Sequence, residues 1–342
     1  MQSRFWLGMA VILLSGILNG SFPLPLKYSR SWRWENTWLT FCIVSLLFLP
    51  WTLAVSFAPH LGELYHTLPA RALIYPLIFG LLWGISQVTF GLGIDAVGMA
   101  VAIAVVSGMA CLSGSLIPLA VLSPADLFRP RGVLLLVSLP ILVVGLFYCG
   151  AAGRRRDSER PVLPGSSAGV GQKSFMTGLA ICIFTGIFAS NFNLGLSFSA
   201  GVMERARQLG ASPLTASYAV WTLVFAAGFI PNLIYCAYLL SRSHTWSRFT
   251  ISSVRESALS VIMAVLWVAG VFGYGMGATL VGRYGTSLGF TLFMASSILS
   301  SNVIGLLAGE WKQTSSRTRR ELATGVAIIL VSVIVLNLGG LF

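Results

Sequence analysis

The chain has 342 residues, of which 9% are charged and 56% hydrophobic, and its mean hydropathy is +0.84. A soluble domain carries roughly a quarter charged residues, so this composition excludes a water-solvated globule and requires lipid around the apolar surface. The net charge of +12 does not indicate a nucleic-acid partner, because the basic residues sit at the ends of apolar runs, where the loops of membrane proteins carry them.

Backbone groups in lipid need internal partners, which leaves helices or closed barrels. The long unbroken apolar runs exclude a barrel, whose strands alternate in polarity. A spanning helix needs about 20 apolar residues. Ten stretches qualify: 4–26, 37–57, 72–94, 97–121, 131–151, 174–200, 212–240, 256–281, 286–308 and 319–340. The first is read as a span, because Arg4 runs straight into it and no small-residue cleavage site follows. The stretch 152–173 holds Arg154, Arg155, Arg156, Pro161, Pro164 and Gly165, and reads as a flexible linker. The expected fold is an all-α integral membrane protein of ten transmembrane helices, with five-helix repeats over 1–151 and 174–342. Alternating spans put 15 of the 22 Lys and Arg on the side of that linker. That side should be cytoplasmic, with both termini periplasmic and the chain in the bacterial inner membrane.

The halves also resemble each other residue by residue. Ser15-Gly16-Ile17-Leu18-Asn19-Gly20-Ser21-Phe22 aligns without gaps on Thr185-Gly186-Ile187-Phe188-Ala189-Ser190-Asn191-Phe192. In the third span Leu82-Trp83 precedes Phe90-Gly91-x-Gly93, and in the eighth Leu266-Trp267 precedes Tyr274-Gly275-x-Gly277 at the same spacing. An odd number of helices per half makes the second copy enter from the opposite side. Inverted repeats of this kind characterise many secondary transporters, whose substrate sits near the midplane between them.

On the third span Trp83, Gln87 and Phe90 share a face at helical spacing, flanked by a stripe of glycines. The eighth span repeats the face with Trp267, Val271 and Tyr274. Two aromatics with an amide between them suit a sugar, since a ring stacks on its apolar face and the amide pairs with hydroxyls. Packing against lipid or other helices accounts for the aromatics equally well, and less readily for a costly intramembrane amide. Asn19, Asn191 and Asn193 lie in the repeated segment and Asn302 in the ninth span; each can line a cavity or bridge helices. The acidic residues and the three histidines fall at span ends or in loops. Asp95, at the end of the third span, comes nearest to an ionisable group inside the membrane. The five cysteines read as small buried hydrophobes. No P-loop, HExxH, GxSxG or metal-ligand spacing occurs, so no catalytic residue, metal or cofactor is expected.

The segment Trp32-Arg33-Trp34-Glu35-Asn36-Thr37-Trp38, with Leu49-Pro50-Trp51 after it, resembles the L-rhamnose–proton symporter family of the ten-helix drug/metabolite transporter superfamily. The resemblance continues at Phe79-Gly80-x-x-Trp83-Gly84-Ile85, Gly91-Leu92, Gly98-Met99, Gly186-Ile187-Phe188, Leu209-Gly210, Ser217-Tyr218 and Glu310-Trp311. It implies uptake of L-rhamnose or a related monosaccharide with a proton as partner; an exporter or facilitator of another small metabolite is the alternative. Symport needs a proton carrier, and Asp95 is the expected one. The expected substrate contacts are Asn19, Trp83, Gln87, Phe90, Asn191, Asn193, Trp267 and Tyr274.

Overall fold

A computed structural model describes residues 2–122, 125, 128–159, 175–281, 288–309 and 311–338. The described elements are helical, and no strand occurs among them. In chain order they are α1 (Gln2–Ser21), α2 (Trp34–Cys42), α3 (Leu49–Phe57), α4 (Leu61–Thr67), α5 (Ala70–Val97), α6 (Met99–Leu122) and α7 (Pro130–Glu159). After these come α8 (Phe175–Ala189), α9 (Asn191–Ser197), α10 (Ala200–Gln208), α11 (Tyr218–Arg242), α12 (Ser253–Val281), α13 (Leu288–Leu307) and α14 (Ser316–Leu338).

Among the described residues, 7 helical segments are long and apolar enough to cross a membrane: Arg4–Tyr28, Trp34–Phe57, Ala70–Val97, Gly132–Gly153, Phe175–Gln208, Tyr218–Arg242 and Ser253–Val281. The fourth, ninth and tenth expected spans coincide with α6, α13 and α14. Large apolar side chains such as Trp6, Val55, Phe147 and Ile234 stand exposed on the outside, as they do where lipid is the solvent. The seven long apolar segments and this apolar exterior describe an integral membrane protein.

Local sequence explains the departures from straight helices. Pro50 has no N–H to donate one turn back, and a π segment over Ile43–Phe48 joins α2 to α3 just before it. The sixth expected span is interrupted at Ser190: its hydroxyl donates to Ile187 O (2.7 Å), and Asn191 Nδ2 donates to Phe188 O (2.8 Å). α5 and α6 meet at Gly98, whose φ of 87° is open to glycine and strained for residues with a Cβ. The seventh expected span begins at Tyr218 rather than at 212, because 213–217 form turns.

Helix packing follows a definite scheme. α1 packs on α12 and α13, and α8 packs on α5 and α6. α5 lies against α11, α12 lies against α2, α6 meets α13, and α7 meets α14. Gly16 of α1 abuts Phe293 and Ser296 of α13, while Gly186 of α8 abuts Val106 and Met109 of α6. A methyl group at either glycine would collide with the facing backbone, so both contacts need a residue without a Cβ.

One boundary moves. α7 does not end at 151 but runs on to Glu159, into the stretch read as linker. Tertiary contacts hold this extension. Arg156 is buried, donates to Val97 O at the end of α5 (2.9 Å) and lies over the Phe175 and Trp311 rings. The carboxylate of Glu159 accepts from the Ser315 backbone N–H and from the Ser315 and Thr318 hydroxyls, each at 2.7 Å, at the start of α14. The remainder of the linker reading, 160–173, lies outside the described residues.

Candidate functional site

Seven helices converge on one central cavity. α1 contributes Asn19, with Phe22 just after its end; α5 contributes Trp83, Ser86, Gln87 and Phe90; α6 contributes Val106 and Ser107. Opposite them stand Thr185 and Ala189 of α8, Ser190, Phe192 and Asn193 at the helix break, Trp267, Val271 and Tyr274 of α12, and Phe293 and Met294 of α13. The space free of protein atoms is about 880 Å³, with the open solvent at its mouth included.

An aromatic frame shapes the cavity. Trp83 and Trp267 stack with ring centroids 5.8 Å apart and planes at 25°. Trp83 packs on Phe225 (5.4 Å), which stacks on Phe192 (6.0 Å). Across the cavity Trp267 packs on Phe41 (6.3 Å), which stacks on Phe22 (5.5 Å). Both tryptophans are about 95% or more buried, so their orientation is fixed by neighbours rather than by lipid.

The polar lining divides into committed and uncommitted groups. Asn19 Nδ2 donates to Ser297 Oγ (3.2 Å), and Ser297 Oγ donates to Gly16 O (3.0 Å). Thr185 Oγ1 donates to Thr89 Oγ1 (2.7 Å), Ser86 to Trp83 O (2.6 Å) and Ser190 to Ile187 O. Gln87, Ser107 and Asn193 line the cavity with no side-chain hydrogen bond to any described residue. An amide or hydroxyl facing an apolar enclosure costs roughly 1–3 kcal/mol when unpaired, so these three are the groups positioned for water or ligand.

Seven of the nine expected site residues therefore surround one space: Asn19, Trp83, Gln87, Phe90, Asn193, Trp267 and Tyr274. Two stand elsewhere. Asn191 is absent from the lining, because its amide turns back to Phe188 O at the helix break. Asp95 is exposed near the C-terminal end of α5, two turns beyond Gln87 and about 12 Å along the axis. Asn302 faces a different groove and donates to Ile298 O (2.8 Å).

Phe22, Ser107, Phe192 and Met294 are lining residues that the helix-face argument did not reach. The aligned repeat pairs Phe22 with Phe192, and that signal would have found both. Ser107 lies in the run Val105-Val106-Ser107-Gly108-Met109, where no polar face marks a direction. A position at a span end does not settle whether an acidic group is exposed. Glu35 and Glu256 do start helices, yet both are buried, because the connection after α1 folds over the connection after α11. Thr245 Oγ1 donates to Glu35 Oε1 (2.8 Å), and Asn36 Nδ2 donates to Thr245 O (3.0 Å). Glu256 accepts from Ser29 Oγ (2.7 Å) and from the backbone N–H groups of Arg30 and Ser31, both at 3.2 Å.

A cavity with stacked tryptophans and spare polar groups suits a small polar solute, and several transporter families could supply it. The family model described as L-rhamnose-proton symport protein (RhaT) matches residues 1–341. The chain belongs to that family. It is 28% identical over 329 residues to the L-rhamnose-proton symporter of Mannheimia succiniciproducens, covering 93% of each chain. It is 24% identical to the proteins of the same description from Klebsiella pneumoniae and Yersinia pestis, over 349 residues and 99% of each chain. The family is one of transporters.

Proposed function

We propose that this protein is a secondary transporter that carries L-rhamnose, or a closely related monosaccharide, together with a proton. The family model over residues 1–341 is the observation that carries this reading, and the cavity supplies its chemistry. Trp83 and Trp267 offer ring faces to the C–H side of a sugar, while Gln87, Ser107 and Asn193 offer hydrogen bonds to its hydroxyls. Asn19 contributes its free carbonyl oxygen, and Phe90 and Tyr274 close the apolar walls. Asn191 acts one step away by shaping the break that aims Asn193.

The proposed architecture is ten spans arranged as two inverted five-helix repeats, with the connection between α7 and α8 cytoplasmic and both termini periplasmic in the inner membrane. Exchange symmetry in the packing supports it. The contacts of α1 with α12 and α13 are repeated by those of α8 with α5 and α6. The aligned glycines Gly16 and Gly186 meet corresponding helices. The aligned pairs Phe22 and Phe192, Trp83 and Trp267, and Phe90 and Tyr274 all line the cavity, which would lie at the repeat interface. Reporter fusions at 160–173 are expected to read cytoplasmic; a periplasmic signal would overturn the orientation.

The proton carrier proposed from sequence is Asp95, whose exposed carboxyl can exchange protons with water at the helix end. A second reading rests on Glu35, a buried carboxylate whose one described partner is a threonine hydroxyl. The function is tested by uptake of radiolabelled L-rhamnose into proteoliposomes with and without an inward-acid pH gradient. Gradient-driven accumulation is expected; uptake that only equilibrates would make the protein a facilitator.

A further inference from the structure

We propose that the groove between α13 and α14 binds a phospholipid with an anionic headgroup. The groove holds about 1160 Å³ of space free of protein atoms, and it is separate from the sugar cavity. Its two ends differ in chemistry. At one end are Lys312, in the connection between the two helices, and Arg319, in the first turn of α14. At the other, the lining is apolar: Leu299 of α13, exposed on the outside of the bundle, and Leu330 of α14.

Charge complementarity selects the headgroup. Of the other basic residues of this corner, Arg155 and Arg317 pair with Glu321 at 3.2 and 3.6 Å, and Arg320 is exposed outside the groove lining. Glu159 is held by Ser315 and Thr318. Lys312 and Arg319 are exposed, and neither makes an ion pair or a side-chain hydrogen bond with a described residue. Two cations with no ion pair among the described residues favour a lipid phosphate whose charge is not cancelled by an amine of its own. Buried Trp311 forms the floor beneath them, fixed by the Arg156 guanidinium 5.1 Å over its ring.

The shape selects an acyl chain. Ala323 and Ala327, one turn apart on α14, leave a channel that larger residues would fill. The channel runs from the cations toward Leu299 and Leu330, so a headgroup held at Lys312 and Arg319 sends its chain along it.

Native mass spectrometry of the full-length protein in mild detergent, with dioleoyl phosphatidylglycerol or dioleoyl phosphatidylcholine added, tests this. The wild type is expected to retain phosphatidylglycerol at least tenfold better than phosphatidylcholine. The Lys312→Gln/Arg319→Gln variant changes only exposed groups; it should melt like the wild type and lose phosphatidylglycerol affinity by roughly 30-fold, for two surface cations. Ala323→Phe keeps both cations and is expected to lose the lipid by filling the channel. Equal retention of the two lipids, or wild-type affinity in the double variant, would overturn the proposal. Full displacement by millimolar inorganic phosphate would also overturn it, by making the site one for a free anion.

Discussion

Trp83 and Trp267 come from opposite halves of the chain and stack with ring centroids 5.8 Å apart at the centre of the molecule. Replacing either by Phe keeps an apolar ring but removes part of the stacking surface. Trp83→Phe and Trp267→Phe are each expected to weaken sugar binding about two- to tenfold, from aromatic contacts of about 0.5–1.5 kcal/mol. Tryptophan fluorescence quenching by L-rhamnose checks this. Unchanged affinity in both variants would assign the pair to packing alone.

Gln87 and Asn232 are both intramembrane amides, and the structure gives them opposite roles. Gln87 has no hydrogen-bond partner among the described residues, so Gln87→Leu should leave thermal stability unchanged. Its loss leaves sugar hydroxyls unpaired, and binding should fall 10- to 100-fold, for about 1–3 kcal/mol. Asn232 accepts from Trp38 Nε1 (2.9 Å) and donates to Gly84 O (3.2 Å) and Gly228 O (2.9 Å), tying three helices together. Asn232→Leu should lower the melting temperature while the folded fraction binds sugar normally. Thermal melts and isothermal titration on the two variants separate these outcomes; the reverse pattern would exchange their roles.

Proton coupling distinguishes the two carboxyl candidates. Asn and Gln mimic the protonated acids, so the true carrier, once replaced, should allow sugar exchange but not accumulation. Asp95→Asn and Glu35→Gln are each to be measured for pH-driven accumulation and for counterflow. Unimpaired accumulation in the Asp95→Asn variant excludes Asp95, and the same result for Glu35→Gln excludes Glu35.

Glu159 lies beyond the membrane segment, and hydrogen bonds from the Ser315 backbone N–H, the Ser315 hydroxyl and the Thr318 hydroxyl hold its carboxyl below the usual 4.5. The unfolded chain binds the proton more readily, so stability rises with pH across the interval between the folded and unfolded values. The contribution is fully present above about pH 4.5 and is lost as pH falls through the lower folded value. The effect is small because the group is exposed to solvent. Glu159→Gln should flatten the acid limb of the melting curve by lowering the neutral melting temperature slightly while leaving the acid end unchanged. An acid limb identical to wild type would show that this cap contributes nothing.

Hydrophobic run length and helical periodicity are properties of the sequence alone, because lipid forces each run to satisfy its own backbone groups. They placed helices at the expected stretches and put Trp83, Gln87 and Phe90 on one face, with Trp267 and Tyr274 on its counterpart. Periodicity fails where a helix breaks. The turn at Ser190 rotates Asn191 out of the cavity and leaves Asn193 in it, although both belong to the same short segment. It fails again in uniformly apolar runs, where Ser107 gives no direction of its own. Only the tertiary structure decided the environments of the charged groups. Glu35 and Glu256 stand at helix ends, which sequence assigns to water, yet the connection after α1 closes over the one after α11 and buries both. Arg156 and Glu159 stood in an expected linker, and contacts with Val97, Trp311 and α14 made that stretch helix. Solvation of a polar group depends on which distant segments cover it, and that is settled by packing, not by the residues beside it in the chain.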